Sequence, residues 1–232
     1  MTQPSEQPDR GVPEPAGVAS KAWDWEQQDA MWMRPSDEFQ PVAQRWKSRG
    51  WRRALDLGCG LGRHSLLLAS MGLYVVSVDL SPRALARLES EADRLKLSRH
   101  IRTLCRDLAD LPDDLGLFDC VLSFHAIYHT DVAGLRRAIS WITRHLSPGG
   151  GLYATFNSKS NASYRAAGHS RIDEYTLVKE SGPEAGIPHT YLSYQDILEL
   201  LAGYGLAKVQ QIEDFYGQGR SSIHFFVEAY RS

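Results

Sequence analysis

The chain has 232 residues, of which 43% are hydrophobic and 23% charged, so it is long enough to bury one substantial core. Its net charge of −2 provides no overall positive field for a phosphate backbone, which argues against a nucleic-acid partner. No segment has the roughly 20 uninterrupted apolar residues of a membrane span, and the N-terminus does not read as a secretory signal. We therefore expect a cytoplasmic protein without membrane contact. Its three cysteines include no CxxC pair and predict neither a disulfide framework nor a zinc knuckle.

The first fifty residues divide into two parts of different composition. Residues 1–20 hold four prolines among polar residues and are predicted to be a disordered tail. Residues 21–51 then hold five of the six tryptophans in the chain. We predict that this second part is a helical cap over a ligand site, and plain core packing or a dimer contact are the alternatives.

From residue 53 onwards, short apolar runs alternate with segments of helical period, as expected of parallel strands joined by crossover helices. Helix signals support this alternation, because Ser81 is an N-cap before Pro82, and Ser193 forms a capping-box pattern with Asp196. Strands are predicted at residues 54–57, 74–78, 101–105, 118–123, 151–156, 207–212 and 222–230.

A glycine-rich turn carries the strongest functional signal. The segment Asp56-Leu57-Gly58-Cys59-Gly60-Leu61-Gly62 follows the first strand and opens a helix, and glycine lets the backbone turn tightly and approach a ligand. Asp79 ends the next strand about 20 residues further on, where a carboxylate can bind both hydroxyls of a ribose. A nicotinamide cofactor would require a small residue at the position of Arg63, so this competitor is disfavoured.

The GxGxG turn, with an acidic residue two places before it, resembles the first motif of class I S-adenosylmethionine-dependent methyltransferases. Residues 78–81, 105–108, 118–123 and 146–150 are similar to that family's later motifs in the same order. The resemblance covers residues 54–156 and implies a doubly wound, Rossmann-like α/β fold. Its sheet would be seven-stranded and mainly parallel with helices on both faces, and an antiparallel last strand would lie beside the fifth. Residues 21–232 would form a single domain.

The resemblance also implies the cofactor, S-adenosylmethionine, with S-adenosylhomocysteine as the product. The turn from Gly58 to Gly60 would run along the methionine portion, and Asp56 would reach its amino group. Asp79 would bind the ribose and Asp107 the adenine, while the aromatic cap would face the sulfonium. The full predicted set of cofactor contacts is Asp56, Gly58, Cys59, Gly60, Gly62, Asp79, Leu80, Asp107, Leu108, Ser123, Trp23 and Trp32.

Methyl transfer is an in-line displacement at a sulfonium, so the protein chiefly aligns the nucleophile. A base is needed only for a hydroxyl or a protonated amine, and His125 and His189 are the predicted catalytic residues. His125 and His129 are spaced i, i+4, which on a helix suits a metal, but no HExxH pattern accompanies them. We expect no metal, and a structural or capping role for His129.

Residues 157–192 are polar and irregular, and a long polar loop at this place predicts a substrate lid. The segment from Gly182 to His189 is similar to segments in small-molecule methyltransferases related to the tellurite-resistance and thiol methyltransferase group. A hairpin with solvated charges is the alternative. The predicted substrate contacts are Phe124, Tyr128, Glu184 and Tyr191.

The sequence therefore predicts methyl transfer to an oxygen, nitrogen or sulfur atom of a small molecule, by a monomer or homodimer. Two alternatives stay open. A methyltransferase acting on nucleic acid or protein would share the cofactor motifs, but this chain has Ser123-Phe124-His125-Ala126 where an NPPY-type sequence would stand. A non-catalytic protein that binds S-adenosylmethionine is equally compatible with these motifs, because they concern binding rather than turnover.

Overall fold

The structure is a computed structural model, and it describes residues 21, 33–181, 184–216 and 220–232. The predicted tail at 1–20 and the predicted contacts Trp23 and Trp32 lie outside these residues. The helices are α1 (Gln40–Ser48), α2 (Arg63–Ser70), α3 (Pro82–Arg94), α4 (Val132–His145), α5 (Ala162–Arg165) and α6 (Tyr194–Leu200). The strands are β1 (Arg53–Leu57), β2 (Tyr74–Asp79), β3 (Ile101–Cys105), β4 (Phe118–Ser123), β5 (Leu146–Ser158), β6 (Ser170–Arg171), β7 (Thr176–Val178), β8 (Pro188–Leu192), β9 (Tyr204–Tyr216) and β10 (Arg220–Arg231).

One sheet organises the chain. Its central strands run in the order β3-β2-β1-β4-β5, and each is parallel to its neighbours. Strand β10 lies antiparallel beside β5 and pairs on its other edge with β9. The predicted doubly wound, mainly parallel α/β fold is thus confirmed, and the antiparallel last strand lies beside the fifth. Among the described helices, none is long and apolar enough to cross a membrane.

The segment at 157–192 differs from its predicted irregular form. It contributes β6, β7 and β8, which pair antiparallel with one another and bring the described sheet to ten strands rather than seven. Every residue of β8 is buried, although this strand includes His189 and Thr190. Burial is possible because the polar groups find partners within the fold, as when the hydroxyl of Thr190 donates to the Thr130 carbonyl.

Side chains alternate between the two faces of the sheet and build a core on each face. In β1, Leu55 and Leu57 belong to the core that includes α4 and α6, whereas Ala54 belongs to the core that includes α1 and α2. Helices therefore cover both faces, as predicted. Trp46 of α1 is fully buried in the second core, so this part of the predicted cap packs as core on the sheet.

The order of the strands positions the site. The chain crosses from β1 to β2 and β3 on one side, and later enters β4 on the other side of β1. In open α/β sheets, ligands bind where the strand order reverses, outside the carboxyl ends of the strands. The turn at Gly58, Asp79 and the loop after Ser123 all lie at this edge.

Candidate functional site

A cavity of about 970 Å³ opens at the carboxyl ends of the parallel strands. This volume is at the upper end of the range for small-molecule sites. Four predicted residues, Asp56, Gly62, Asp107 and Ser123, do not line it. The predicted residues that do line it are Gly58, Cys59, Gly60, Asp79, Leu80, Leu108, Phe124, His125, Tyr128, Glu184, His189 and Tyr191.

The glycine turn is held by backbone hydrogen bonds to the neighbouring strand. The amides of Gly58 and Cys59 both donate to the Val78 carbonyl, at 2.8 and 2.9 Å. Gly58 has a φ of +71°, and a Cβ there would lie 2.1 Å from Cβ of Ala126. Glycine is therefore required at Gly58 both by the backbone conformation and by the close approach of the loop after β4.

Asp79 joins the turn to the start of α3. Its Oδ2 accepts from the Gly60 amide at 2.8 Å, and its Oδ1 accepts from the Ser81 amide at 2.9 Å. Burial raises the pKa of this carboxyl, and the bonds from the two amides oppose the increase. Each carboxylate oxygen has a second lone pair, so Asp79 can still accept hydrogen bonds from a ligand in the cavity.

The predicted residues outside the lining have structural partners. Asp56 is buried and accepts from the Ser65 hydroxyl at 2.6 Å, and the Ser123 hydroxyl donates to the Leu57 carbonyl at 2.9 Å. Gly62 is in the left-handed region, and a Cβ there would lie 2.2 Å from Cδ1 of Leu88. Asp107 accepts from the Ala109 amide at 2.8 Å, within its own turn.

His125 follows β4 in a turn rather than on a helix. Its φ is +52°, a left-handed conformation that costs a non-glycine residue roughly 1–2 kcal/mol, and such strain is concentrated at functional sites. Its amide donates to the Thr155 hydroxyl at 2.6 Å. The helical i, i+4 pairing considered for His125 and His129 is therefore wrong. His129 does not cap α4 either, because Asp131 is the N-cap residue of that helix.

Tyr128 lies between two histidines of the cavity wall. Its hydroxyl is 3.4 Å from Nδ1 of His125 and 3.4 Å from Nε2 of His224. The His125 and His224 rings meet edge to face, with their centroids 4.4 Å apart. His129 and His189 form a second contact of this kind at 4.8 Å. Four histidines from three parts of the chain thus line one wall.

Burial lowers the pKa of all four histidines. The pKa of His189 falls to about 3 and that of His224 to about 4, and those of His125 and His129 fall well below the usual value. Positive charge on Lys179 adds to the effect on His129, His189 and His224. The imidazoles are therefore neutral at pH 7 and each presents one lone pair.

The segment at 157–192 supplies the remaining polar wall. Glu184 forms an ion pair with Lys179, and Nε2 of His189 lies 3.4 Å from Oε2 of Glu184. The hydroxyls of Tyr191 and Ser163 are 2.9 Å apart. The predicted lid therefore contributes side chains to the cavity, in part from the buried strand β8 rather than from an irregular loop.

Several lining residues were not predicted, notably His224, Asn157 and Lys179. In β10, His224 is the one polar residue in the apolar run from Ile223 to Val227. A lone histidine in such a run could have indicated a polar site. Asn157 is buried, and its Nδ2 has no hydrogen-bond partner among the described residues. A buried amide donor of this kind at a cavity wall indicates room for a ligand acceptor.

A family model described as a methyltransferase domain matches residues 54–150, which include the glycine turn and Asp79. Over these residues the chain is similar to a methyltransferase domain. The predicted resemblance is thereby confirmed. One relative is an uncharacterised methyltransferase of Synechocystis sp., 38% identical over 100 residues, which cover 43% of this chain and 44% of that protein. The chain spans about half the length of the first curated relatives it matches.

Solved structures of methyltransferases share the fold of this chain. TehB from Haemophilus influenzae has a TM-score of 0.62 at 18% identity, covering 83% of this chain and 62% of that one. The 1,6-didemethyltoxoflavin N1-methyltransferase of Burkholderia thailandensis has a TM-score of 0.62 at 17% identity, covering 88% and 81%. The latter structure contains bound 1,6-didemethyltoxoflavin and S-adenosylhomocysteine. At these identities, the likeness concerns the fold.

Proposed function

We propose that this protein binds S-adenosylmethionine and transfers its methyl group to a small-molecule acceptor. The observation that carries the proposal is a single cavity whose wall includes both the glycine turn with Asp79 and the polar wall of histidines. The first set suits a nucleoside cofactor and the second set suits an acceptor. A shared cavity is what in-line transfer between two bound molecules requires.

The residues around the turn fit the cofactor chemically. Asp79 has lone pairs available for the two ribose hydroxyls, and Gly60 brings backbone to the cavity without a Cβ. Leu80 and Leu108 supply apolar surface for an adenine ring. Asp56 would reach the methionine amino group only through the hydroxyl of Ser65 or through water. Bound S-adenosylmethionine supplies an activated methyl group, and the protein orients it.

The histidine wall supports a small acceptor. His189 and His224 are buried and His125 and His129 are half-buried, and Tyr191 and Asn157 are almost completely covered as well. A polymer substrate would need an open face, whereas a recessed polar wall suits a small molecule. The neighbour with bound 1,6-didemethyltoxoflavin is a methyltransferase that acts on this small molecule and has the same fold.

The role of a base falls first to His125, whose strained backbone directs it into the cavity wall. Its neutral ring can accept a proton, but burial makes the imidazole a weak base. Acceptors that ionise easily, such as thiols and acidic phenols, therefore fit this wall better than aliphatic alcohols. His189 remains a predicted catalytic residue, and the Tyr128 hydroxyl beside His125 can relay a proton.

Calorimetric titration with S-adenosylmethionine and S-adenosylhomocysteine tests the cofactor, with NADH and NADPH as controls. We expect micromolar binding of the first pair alone. Asp79→Asn should weaken this binding by roughly tenfold to a hundredfold, because charge-assisted hydrogen bonds to the ribose are lost. The matched control is Asp110→Asn, at an exposed carboxylate outside the cavity wall. Equal affinity of the two variants would remove Asp79 from the site.

Turnover is tested by release of S-adenosylhomocysteine in the presence of phenols, amines, thiols and tellurite. His125→Ala should lower the rate with hydroxyl acceptors while leaving cofactor affinity unchanged, and intact activity would exclude the base. Cofactor binding without turnover on any small acceptor would favour the non-catalytic alternative. Turnover only on a protein or nucleic acid would favour the macromolecular one.

A further inference from the structure

Three side chains in the cavity wall meet with the chemistry of a metal site. His129, His189 and Glu184 each offer one ligand atom, and these atoms all lie within 4.8 Å of one another. His189 is buried and the other two are half-buried. Two imidazoles and one carboxylate form the ligand set of many catalytic zinc sites.

The hydrogen bond of His189 fixes which nitrogen faces Glu184. Its Nδ1 lies 2.8 Å from the Ile187 carbonyl, which can only accept, so Nδ1 carries the proton. The neutral ring then presents a lone pair on Nε2, which is 3.4 Å from Oε2 of Glu184 and has no hydrogen-bond donor among the described residues. Two acceptors facing each other at this distance repel, unless a cation lies between them.

The same geometry matches that of metal-bound histidines. A ligating imidazole usually donates its other ring N–H to a carbonyl or carboxylate, as His189 does to Ile187. Ligands on a tetrahedral ion with bonds of about 2.0–2.1 Å stand roughly 3.3–3.5 Å apart, and the 3.4 Å between His189 and Glu184 is within this range. The ring of His129 meets that of His189 at 4.8 Å between centroids.

We propose that His129, Glu184 and His189 bind one divalent transition-metal ion of the Zn²⁺ type. Three protein ligands leave a fourth position open, as in catalytic rather than structural zinc sites, and all three residues line the cavity. This proposal differs from the expectation of a metal-free site. For that expectation, only a helical pairing of His125 with His129 was considered.

A role for the ion rests on the proposed function. An acceptor thiol or hydroxyl bound at the open position loses its proton to solvent more readily than a free one. Its lone pair then attacks the methyl carbon, the bond from that carbon to the sulfonium breaks, and S-adenosylhomocysteine leaves as the neutral thioether.

Lys179 is the competitor of the ion, because its ammonium group forms an ion pair with Glu184. A positive charge so close to the site opposes a second cation. Replacing Lys179 with Met keeps the aliphatic stem but removes the charge, so Lys179→Met should bind metal about tenfold more tightly. If Lys179 were simply the structural partner of Glu184, the variant would gain no metal affinity.

A second group of possible ligands, His125, Asp214 and His224, lines the same cavity. Its two histidines share the hydroxyl of Tyr128, which lies 3.4 Å from each ring. Their lone pairs therefore already have a polar partner. This second group of residues therefore serves as a control for the proposed metal site.

The test uses the full chain purified without a polyhistidine tag and dialysed against a chelator. Zn²⁺ is titrated in a calorimeter, bound metal is measured by mass spectrometry, and the visible spectrum of the Co²⁺ form reports on tetrahedral coordination. We expect one ion per chain with micromolar or tighter affinity. His189→Gln and Glu184→Gln should each weaken binding at least about a hundredfold, because first ligands matter more than their supporting partners.

Two matched controls locate the site. His100→Gln removes a histidine outside the cavity wall and should leave Zn²⁺ affinity unchanged. His224→Gln should leave it within about threefold of the original value. Circular dichroism identifies any variant that fails to fold. If His189→Gln, at a buried position, does not fold, Glu184→Gln at a half-buried position provides the test instead.

The proposal is overturned if the unaltered chain binds no stoichiometric metal, or if His224→Gln abolishes binding while His189→Gln retains it. S-adenosylmethionine titrated into chelated and Zn²⁺-loaded protein separates this result from the proposed function. Metal binding without cofactor binding would refute the methyltransferase proposal alone, and the reverse outcome would refute only the metal site.

Discussion

Asp56 provides a quantitative test of how the site is built. Its carboxyl is 2% exposed and accepts from the Ser65 hydroxyl, which in turn accepts from the Ser77 hydroxyl at 2.8 Å. Burial raises its pKa from 3.8 to about 7, although the bond from Ser65 opposes the increase. The folded protein therefore keeps this proton over a pH range in which the unfolded chain has already released it.

The sign and size of the effect follow from linkage. A carboxyl with a raised folded pKa contributes its full stability below the unfolded pKa of 3.8, and this contribution is lost as pH rises to about 7. Each tenfold difference in proton affinity between the folded and unfolded chain corresponds to about 1.4 kcal/mol, so the complete loss is about 4 kcal/mol. Between pH 5 and pH 8 the expected change is about 3 kcal/mol.

Asp56→Asn removes the titration but keeps an oxygen that accepts from Ser65. Urea unfolding at pH 5, 6, 7 and 8 should show the variant gaining about 3 kcal/mol relative to the original protein across this range. Any effect of the new amide on the free energy of unfolding that does not depend on pH cancels in this comparison. The exposed Asp110→Asn variant serves as the control for loss of a carboxylate. A difference that stays flat with pH would show that Asp56 is not held as a protonated acid.

Two further changes test the supports of the site. Gly62→Ala should lower the free energy of unfolding by about 2–5 kcal/mol, because it adds left-handed strain and a clash with Leu88. Gly72→Ala, also at positive φ but with nothing within 4 Å of its Cβ, should cost only the strain of about 1–2 kcal/mol, and equal losses in urea unfolding would contradict the clash. Ser193→Ala removes the capping box of α6 and should cost about 0.5–2 kcal/mol in thermal unfolding. Ser48→Ala, at an exposed position near the end of α1, is its control, and an equally small change in both would exclude a capping contribution.

The central sheet and the cofactor side were predictable because local chemistry specifies them. Asp79 could be placed in the cavity from its position at the end of an apolar strand, just before the cap and Pro82 of α3. Gly62 and Ser123 were assigned to the cofactor by motif, yet they serve packing and strand attachment. A motif identifies which residues gather around a ligand, but it does not separate those that face the ligand from those that support them from behind.

The segment at 157–192 differed from its predicted form because tertiary contacts bury its strands, and the polar residues of this segment give no local sign of such burial. Thr176 and Thr190 pair through their hydroxyls, 3.1 Å apart, between β7 and β8. Such residues read as a polar loop when each is considered alone. Burial here depends on partners about 14 to 60 positions away, which no local pattern reveals.

The sequence placed His125 and His189 at the site, but it was missed that His224 joins them, for a geometric reason that involves Asn157. The predicted fifth strand stopped at 156, whereas β5 continues through Asn157 to Ser158. At Asn157 the register pairs it with His224 of β10 on one edge and with Tyr191 of β8 on the other. Three strands thus converge where the prediction placed the start of a loop. The proposed acceptor side is consequently assembled in part by strand register on both edges of β5, which brings Asn157, His224 and Tyr191 together. The proposed metal ligand His189 lies two residues before Tyr191 on the same strand, so the sheet orients it as well.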